Sequence, residues 1–280
     1  MGATVAKAAF PRPELALRFY EGGLLLRDDL VFVRTSWGEK IPAIHIRSGG
    51  ADAPTLLYSH GNAEDLALTL DFLDYLAEVT GANVLCYEYV GYSLSRFDLC
   101  DPSEAACYRS IDAAWCYLTE SLGVAPERIV LFGRSIGSGP AVDLASRAAP
   151  HATAHGDAYE RIAVTFASPQ RCAGVLLQSP IESGLRAVVG WFASKALYIL
   201  DLFRSYEKVA SIAAPIAITH GTADRVVPCA NGRALAALAR ELHPPLWIEG
   251  AGHNDMPPRD VAEYARGFLR RLRGAAVTKI

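Results

Sequence analysis

From residue 30 to 273, short runs of aliphatic and β-branched residues alternate with stretches whose apolar residues recur at helical spacing. That alternation predicts a parallel sheet with helices on both faces. Leu30 to Thr35 and Ile41 to Arg47, joined through Trp37-Gly38, read as an antiparallel opening pair. Pro54 to Ser59, Asn83 to Tyr89, Arg128 to Gly133, Ala173 to Gln178, Pro215 to His220 and Pro245 to Glu249 supply the rest of an eight-stranded sheet. Between them, Leu66, Leu70, Leu73 and Ala77 share one helix face; a second helix starts near Ser103 and carries Ile111, Trp115, Leu118 and Leu122 on one side. Further helices are expected over Ile136 to Ala149 and near 184–203, 230–242 and 258–273. The least periodic stretch, 150–172, reads as a surface insertion. It joins a helix to a strand, so it opens at the end of the sheet away from the strand-to-helix loops and is expected to be dispensable for chemistry. The domain division is thus an N-terminal extension over 1–29 and one domain over 30–275 with a short helical cap segment at 181–210.

Composition narrows the class. Of 280 residues, 51% are apolar and 20% charged, enough for a large core and incompatible with disorder of the whole. The 27 basic and 30 acidic side chains give −3 with no run of like charge, so no footprint for a nucleic-acid backbone exists and no nucleic-acid partner is expected. Six cysteines, Cys86, Cys100, Cys107, Cys116, Cys172 and Cys229, form no C-x-x-C pair and no zinc-type spacing, and read as reduced thiols. No metal and no cofactor is expected. The first thirty residues, with Pro11, Pro13, Glu14 and Arg18, contain no secretory apolar run, which points to a cytoplasmic setting. Leu185 to Phe203 is the longest apolar segment, but Arg186, Lys195 and Asp201 interrupt it, so it reads as a buried amphipathic helix rather than a membrane span.

The chemistry centres on Gly133-Arg134-Ser135-Ile136-Gly137, directly after a predicted strand and before a helix. In that context G-x-S-x-G describes a nucleophile on a sharp turn, whose glycines leave room for the bend. A serine hydroxyl needs a base and an orienting acid. His253, in Ala251-Gly252-His253-Asn254, follows the last strand; Asp224, in Thr222-Ala223-Asp224, follows the strand before it. The chain order Ser135, Asp224, His253 is that of the α/β-hydrolase fold. His220 is expected to shape the turn that presents Asp224. Two backbone N–H donors are needed for the oxyanion. Ile136, after the nucleophile, supplies one; Asn62, or failing that Ala63, in the loop His60-Gly61-Asn62-Ala63, supplies the other. His60 itself reads as a structural hydrogen-bonding residue of that loop.

These motifs, together with Ser59 to Leu66, Ser110-Ile111-Asp112-Ala113-Ala114-Trp115, Val142 to Arg147, Ser179-Pro180 with Ser183 to Arg186, and Pro245 to Asp255, resemble the α/β-hydrolase domain-containing protein 17 family over about residues 30 to 272. The resemblance implies an α/β-hydrolase fold and a serine hydrolase that removes palmitate from cysteine thioesters on membrane-associated proteins. The chain departs from the family at two places. The family's N-terminal cysteine cluster has no counterpart before Cys86, and the family's Gly-Tyr-Gly turn reads Gly91-Tyr92-Ser93, followed by a longer Leu94 to Asp101. Met1-Gly2 begins an acylation-like signal, but Ala6 stands where Ser or Thr is wanted.

Leu185, Val188, Val189, Phe192, Ala196, Ile199 and Phe203 form one helical stripe, with Trp191, Tyr198 and Leu202 opposite. Such a two-sided helix covers something besides its own sheet. With the resemblance, it suggests an acyl chain held by Val188, Phe192 and Ile199; ordinary core is the alternative. The substrate expected is an S-acylated protein or a lipid-like ester, with peripheral membrane contact. A lysophospholipase, carboxylesterase or peptidase activity fits the same residues, as does a ligand-binding homologue without catalysis.

Overall fold

The computed structural model describes residues 10–98, 101–147, 171–187 and 201–277. Eight strands form one sheet: β1 (Leu30–Arg34), β2 (Lys40–Ile46), β3 (Thr55–Ser59), β4 (Asn83–Tyr87), β5 (Ile129–Arg134), β6 (Gly174–Gln178), β7 (Ile216–Gly221) and β8 (Leu246–Ile248). Their order is β1-β2-β4-β3-β5-β6-β7-β8. β2 is antiparallel to both β1 and β4, and all later pairings are parallel. The eight-stranded, mostly parallel sheet expected from the sequence is therefore present, and the loops after β3, β5, β6, β7 and β8 open along one edge.

Side chains alternate between two cores, as a doubly covered sheet requires. Leu57, Leu85, Leu131, Val175, Leu177, Ile216 and Ile218 face α3 (Glu104–Cys116) and α4 (Ser138–Arg147). Leu56, Tyr58, Val84, Cys86, Val130, Phe132 and Leu176 face α2 (Leu66–Thr80) and α7 (Pro258–Val277). Short helices α1 (Leu17–Glu21) and α5 (Ser205–Lys208), with α6 (Ala230–Leu238), complete the described framework. The described part of the 1–29 extension is built into these cores, since Phe10, Tyr20 and Leu24 are buried.

Local signals act where expected, with exceptions. Ser103 caps α3 by accepting the Ala106 N–H at 3.1 Å. The helix then widens into a π-turn over Tyr117–Ser121, which moves Leu122 off the buried face and leaves it exposed. The helix expected to reach 242 stops at Leu238, where Ala239 turns extended and Leu242 makes a parallel bridge to Ile216. Most of the 150–172 insertion lies outside the described residues, as do Val188, Phe192 and Ile199 of the expected acyl-binding stripe. The two ends of that cap segment are pinned together: Gly184 N–H donates to the Leu202 carbonyl at 2.7 Å and Leu185 N–H to Asp201 Oδ1 at 2.8 Å. Phe203, the last residue of the stripe, is core, packed edge-on between Phe10 and Tyr108. Among the described residues no helix is long and apolar enough to cross a membrane.

Candidate active site

β5 ends in a forced turn. Ser135 sits at φ +52°, in the left-handed region that a non-glycine residue occupies only at a cost. The flanking glycines are needed for contact: a Cβ on Gly133 would lie 2.5 Å from the Gly137 carbonyl oxygen, and one on Gly137 only 2.2 Å from that of Ser59. The second contact presses the turn directly against the end of β3. Ser138 Oγ braces it from below, donating to the Ser135 carbonyl at 2.6 Å and accepting the Ile181 N–H at 3.1 Å.

Ser135, His253 and Asp224 are brought together in one hydrogen-bonded line. His253 Nε2 is 2.9 Å from Ser135 Oγ, and His253 Nδ1 is 2.7 Å from Asp224 Oδ2. A carboxylate beside Nδ1 sets the tautomer: Nδ1–H donates to Asp224, and Nε2 keeps its lone pair for the serine proton. Asp224 Oδ1 accepts the Val226 and Val227 N–H groups at 2.9 and 2.8 Å. His220 Nε2 lies 3.2 Å from Asp224 Oδ2 and 2.9 Å from the Val227 carbonyl, so its N–H is shared between the turn and the carboxylate. Burial works against the charge on Asp224, but the hydrogen bonds from His220, His253 and Val227 outweigh it and hold the carboxyl well below the ordinary range. Asp224 is thus a fixed anion, suited to stabilising an imidazolium.

The loop after β3 lies beside the turn. Ala63 takes φ +55°, Gly61 N–H donates to Glu64 Oε2 at 2.6 Å, and Tyr92 OH donates to Asn62 Oδ1 at 3.0 Å. His60, fully buried, has Nδ1 2.9 Å from the Gly61 carbonyl, a hydrogen bond within its own loop. Ile136 is the second residue of a single 3₁₀ turn, Ser135–Gly137, whose first N–H groups lack intrahelical partners by geometry.

Sequence reasoning missed a clasp across the three loops. Arg134 pairs with Glu64 and donates from Nη2 to Asn254 Oδ1 at 3.0 Å, joining the β3 loop, the β5 turn and the histidine loop. Opposite charges at the x position of G-x-S-x-G and at the start of a helix were its signal. Beside His253 a cavity of about 200 Å³ is walled by Tyr58, Leu68, Phe72, Met256 and Gln178. The thiols of Cys86, Cys107, Cys116 and Cys172 offer no rival nucleophile: burial raises Cys86 and Cys107 and pushes the half-buried Cys116 and the buried Cys172 up to about 12. Among the described residues no group of three or more His, Cys, Asp or Glu side chains is gathered for a metal ion.

No family model matches the chain. It is 37% identical over 245 residues to alpha/beta hydrolase domain-containing protein 17C of Mus musculus, covering 88% of this chain and 66% of that protein. It is 38% identical over 240 residues to alpha/beta hydrolase domain-containing protein 17B of Xenopus laevis, covering 86% and 72%. The chain spans 64% of the human 17C protein and thus somewhat less than two thirds of it. Among solved structures, Est1E from Butyrivibrio proteoclasticus with bound ferulic acid superposes with a TM-score of 0.66 at 15% identity, covering 87% of this chain and 99% of that one. The Pyrococcus furiosus esterase Pf2001 gives 0.64 at 16%, covering 94% and 96%. At such identities the likeness is one of fold, the α/β-hydrolase fold.

Proposed function

The chain belongs to the α/β-hydrolase domain-containing protein 17 family, and from that premise we propose that it is a serine hydrolase of acyl esters and thioesters, acting on S-acylated cysteine. The hydrogen-bonded line Ser135–His253–Asp224, with Ser135 held at a positive φ, carries this reading. Ser135 Oγ attacks the acyl carbonyl while its proton passes to His253 Nε2, and Asp224 stabilises the imidazolium that forms. The oxyanion develops toward the N–H groups of Asn62 and Ile136. Collapse of the tetrahedral intermediate breaks the acyl C–S or C–O bond, and the departing sulfur or oxygen takes the proton back from His253. Water then attacks the acyl-Ser135 ester with His253 again as base, releasing the carboxylic acid and restoring the serine.

The ester chemistry is supported by the geometry. The long-chain thioester is supported by the family resemblance, with Val188, Phe192 and Ile199 as the proposed acyl contacts and a membrane-associated protein as the partner. The discriminating experiment compares an S-palmitoyl peptide, p-nitrophenyl esters of rising chain length and an aminoacyl amide. Turnover of the thioester and the long esters, with the amide inert, is expected. An amide cleaved faster than the thioester would turn the reading to a peptidase, and inertness toward all three would turn it to a binding protein.

A further inference from the structure

Beneath the β3 loop lies a second imidazole–carboxylate pair that the proposed mechanism does not use. His60 Nε2 is 2.7 Å from Glu88 Oε1, and both side chains are wholly buried. The protons can be placed from the partners. His60 Nδ1 faces the Gly61 carbonyl at 2.9 Å, and a carbonyl only accepts, so Nδ1 carries a proton. Glu88 accepts the Tyr89 N–H on Oε1 and the Leu66 N–H on Oε2, each at 2.9 Å, so both its oxygens act as acceptors and Nε2 donates as well. His60 is therefore an imidazolium. Burial opposes its charge, but Glu88, the Gly61 carbonyl and Asp65 outweigh burial and raise its pKa.

This cation grips one particular peptide plane. The described peptide bonds are all trans, so the Asn62 N–H points opposite to the Gly61 carbonyl, away from His60. The preceding peptide is fixed at both ends by other groups: its His60 carbonyl accepts Tyr89 OH at 2.7 Å, and its Gly61 N–H goes to Glu64. The same backbone touches the turn bearing Ser135, since a Cβ on Gly137 would lie 2.6 Å from the His60 carbonyl oxygen.

We propose that Glu88 and His60 are positioning residues of the oxyanion site, Glu88 fixing the His60 ring and His60 holding the Gly61 carbonyl so that the Asn62 N–H is aimed at the developing oxyanion. The inference rests on the reading of Ser135 as nucleophile and deepens it. A pair that aims a transition-state donor alters kcat and leaves ground-state binding alone.

The test is Glu88→Gln, which keeps the size and an acceptor but removes the charge. On p-nitrophenyl butyrate, kcat is expected to fall about 10²-fold, as for loss of one oxyanion donor, with KM within about twofold. Fluorophosphonate labelling at Ser135 should slow in parallel. A folded variant that keeps kcat within threefold, or loses activity through KM alone, overturns the proposal. Because removing one member of a buried pair endangers folding, wild-type protein with ¹⁵N-labelled histidine supplies a second reading. The two ring N–H signals of an imidazolium are expected from His60 at neutral pH, shifting when Ser135 is phosphonylated. A His60 ring with one N–H, or one unmoved by the adduct, overturns the proposal. Wild-type protein that takes no label at Ser135 would instead refute the nucleophile reading, and the inference with it.

Discussion

Gly137→Ala adds one methyl group where the site is tightest. The new Cβ would meet the Ser59 carbonyl oxygen at 2.2 Å and that of His60 at 2.6 Å, whereas carbon and oxygen settle at about 3.3 Å or more. Roughly 1 Å of separation must therefore open between the turn and the β3 loop. Neither side yields cheaply: Ser59 ends a central strand in register with Gly133 of β5, and the turn is braced through Ser138. Overpacking of this kind costs about 1–3 kcal/mol, or a Tm lower by roughly 2–10 °C for a chain of this size. The larger effect falls on chemistry, because 1 Å between proposed nucleophile and oxyanion donor is worth about 10²-fold in rate. The assay is kcat/KM on p-nitrophenyl acetate, a substrate too small to involve the cap, with thermal unfolding followed in parallel. Gly267→Ala in α7 is the control: nothing lies within 4 Å of its Cβ, so it should gain about 1 kcal/mol from helix propensity and leave the rate alone. A Gly137→Ala protein within threefold of wild type would refute the claim that this contact sets the site.

Three further outcomes follow from the geometry. Asp224→Asn should lower kcat by about 10⁴-fold through the wrong imidazole tautomer, as in the serine-protease precedent; a loss under tenfold would assign the role to another carboxylate. Because the folded Asp224 carboxyl titrates below its unfolded value, its stabilisation is present above about pH 4 and fades as the pH falls below that; acid titration of thermal stability should thus be steeper for wild type than for Asp224→Asn. Ser93 holds φ +47°, a left-handed conformation that a residue with a Cβ adopts at a cost, so Ser93→Gly should raise stability by about 1 kcal/mol in chemical denaturation, and a lower midpoint would contradict that.

The strands were legible nearly to the residue because buried parallel strands are continuous apolar runs bounded by Gly, Pro and polar turns. β4 is the instructive miss. The apolar pattern runs to Tyr89, yet the strand stops at Tyr87; the Glu88 N–H still donates to the Pro42 carbonyl at 3.0 Å, while its side chain turns inward to His60 and the Leu66 N–H. A glutamate inside an apolar run was visible; its partner, 28 residues earlier, was not. The grouping of Ser135, Asp224 and His253 was legible because strand-to-helix loops of a parallel sheet share one edge. What tunes that grouping was hidden. The Arg134–Glu64–Asn254 clasp and the bridge through Ser138 depend on loop approach that neither spacing nor periodicity encodes.

The central claim is that Ser135 forms the covalent acyl intermediate, and adduct mapping tests it most directly. Protein treated with a fluorophosphonate, then digested and read by mass spectrometry, should carry one phosphonyl group on the peptide containing Ser135, and Ser135→Ala should lose both the adduct and ester hydrolysis while unfolding as wild type does. An adduct on another residue, or a folded Ser135→Ala protein that keeps a tenth of wild-type turnover, would contradict the account.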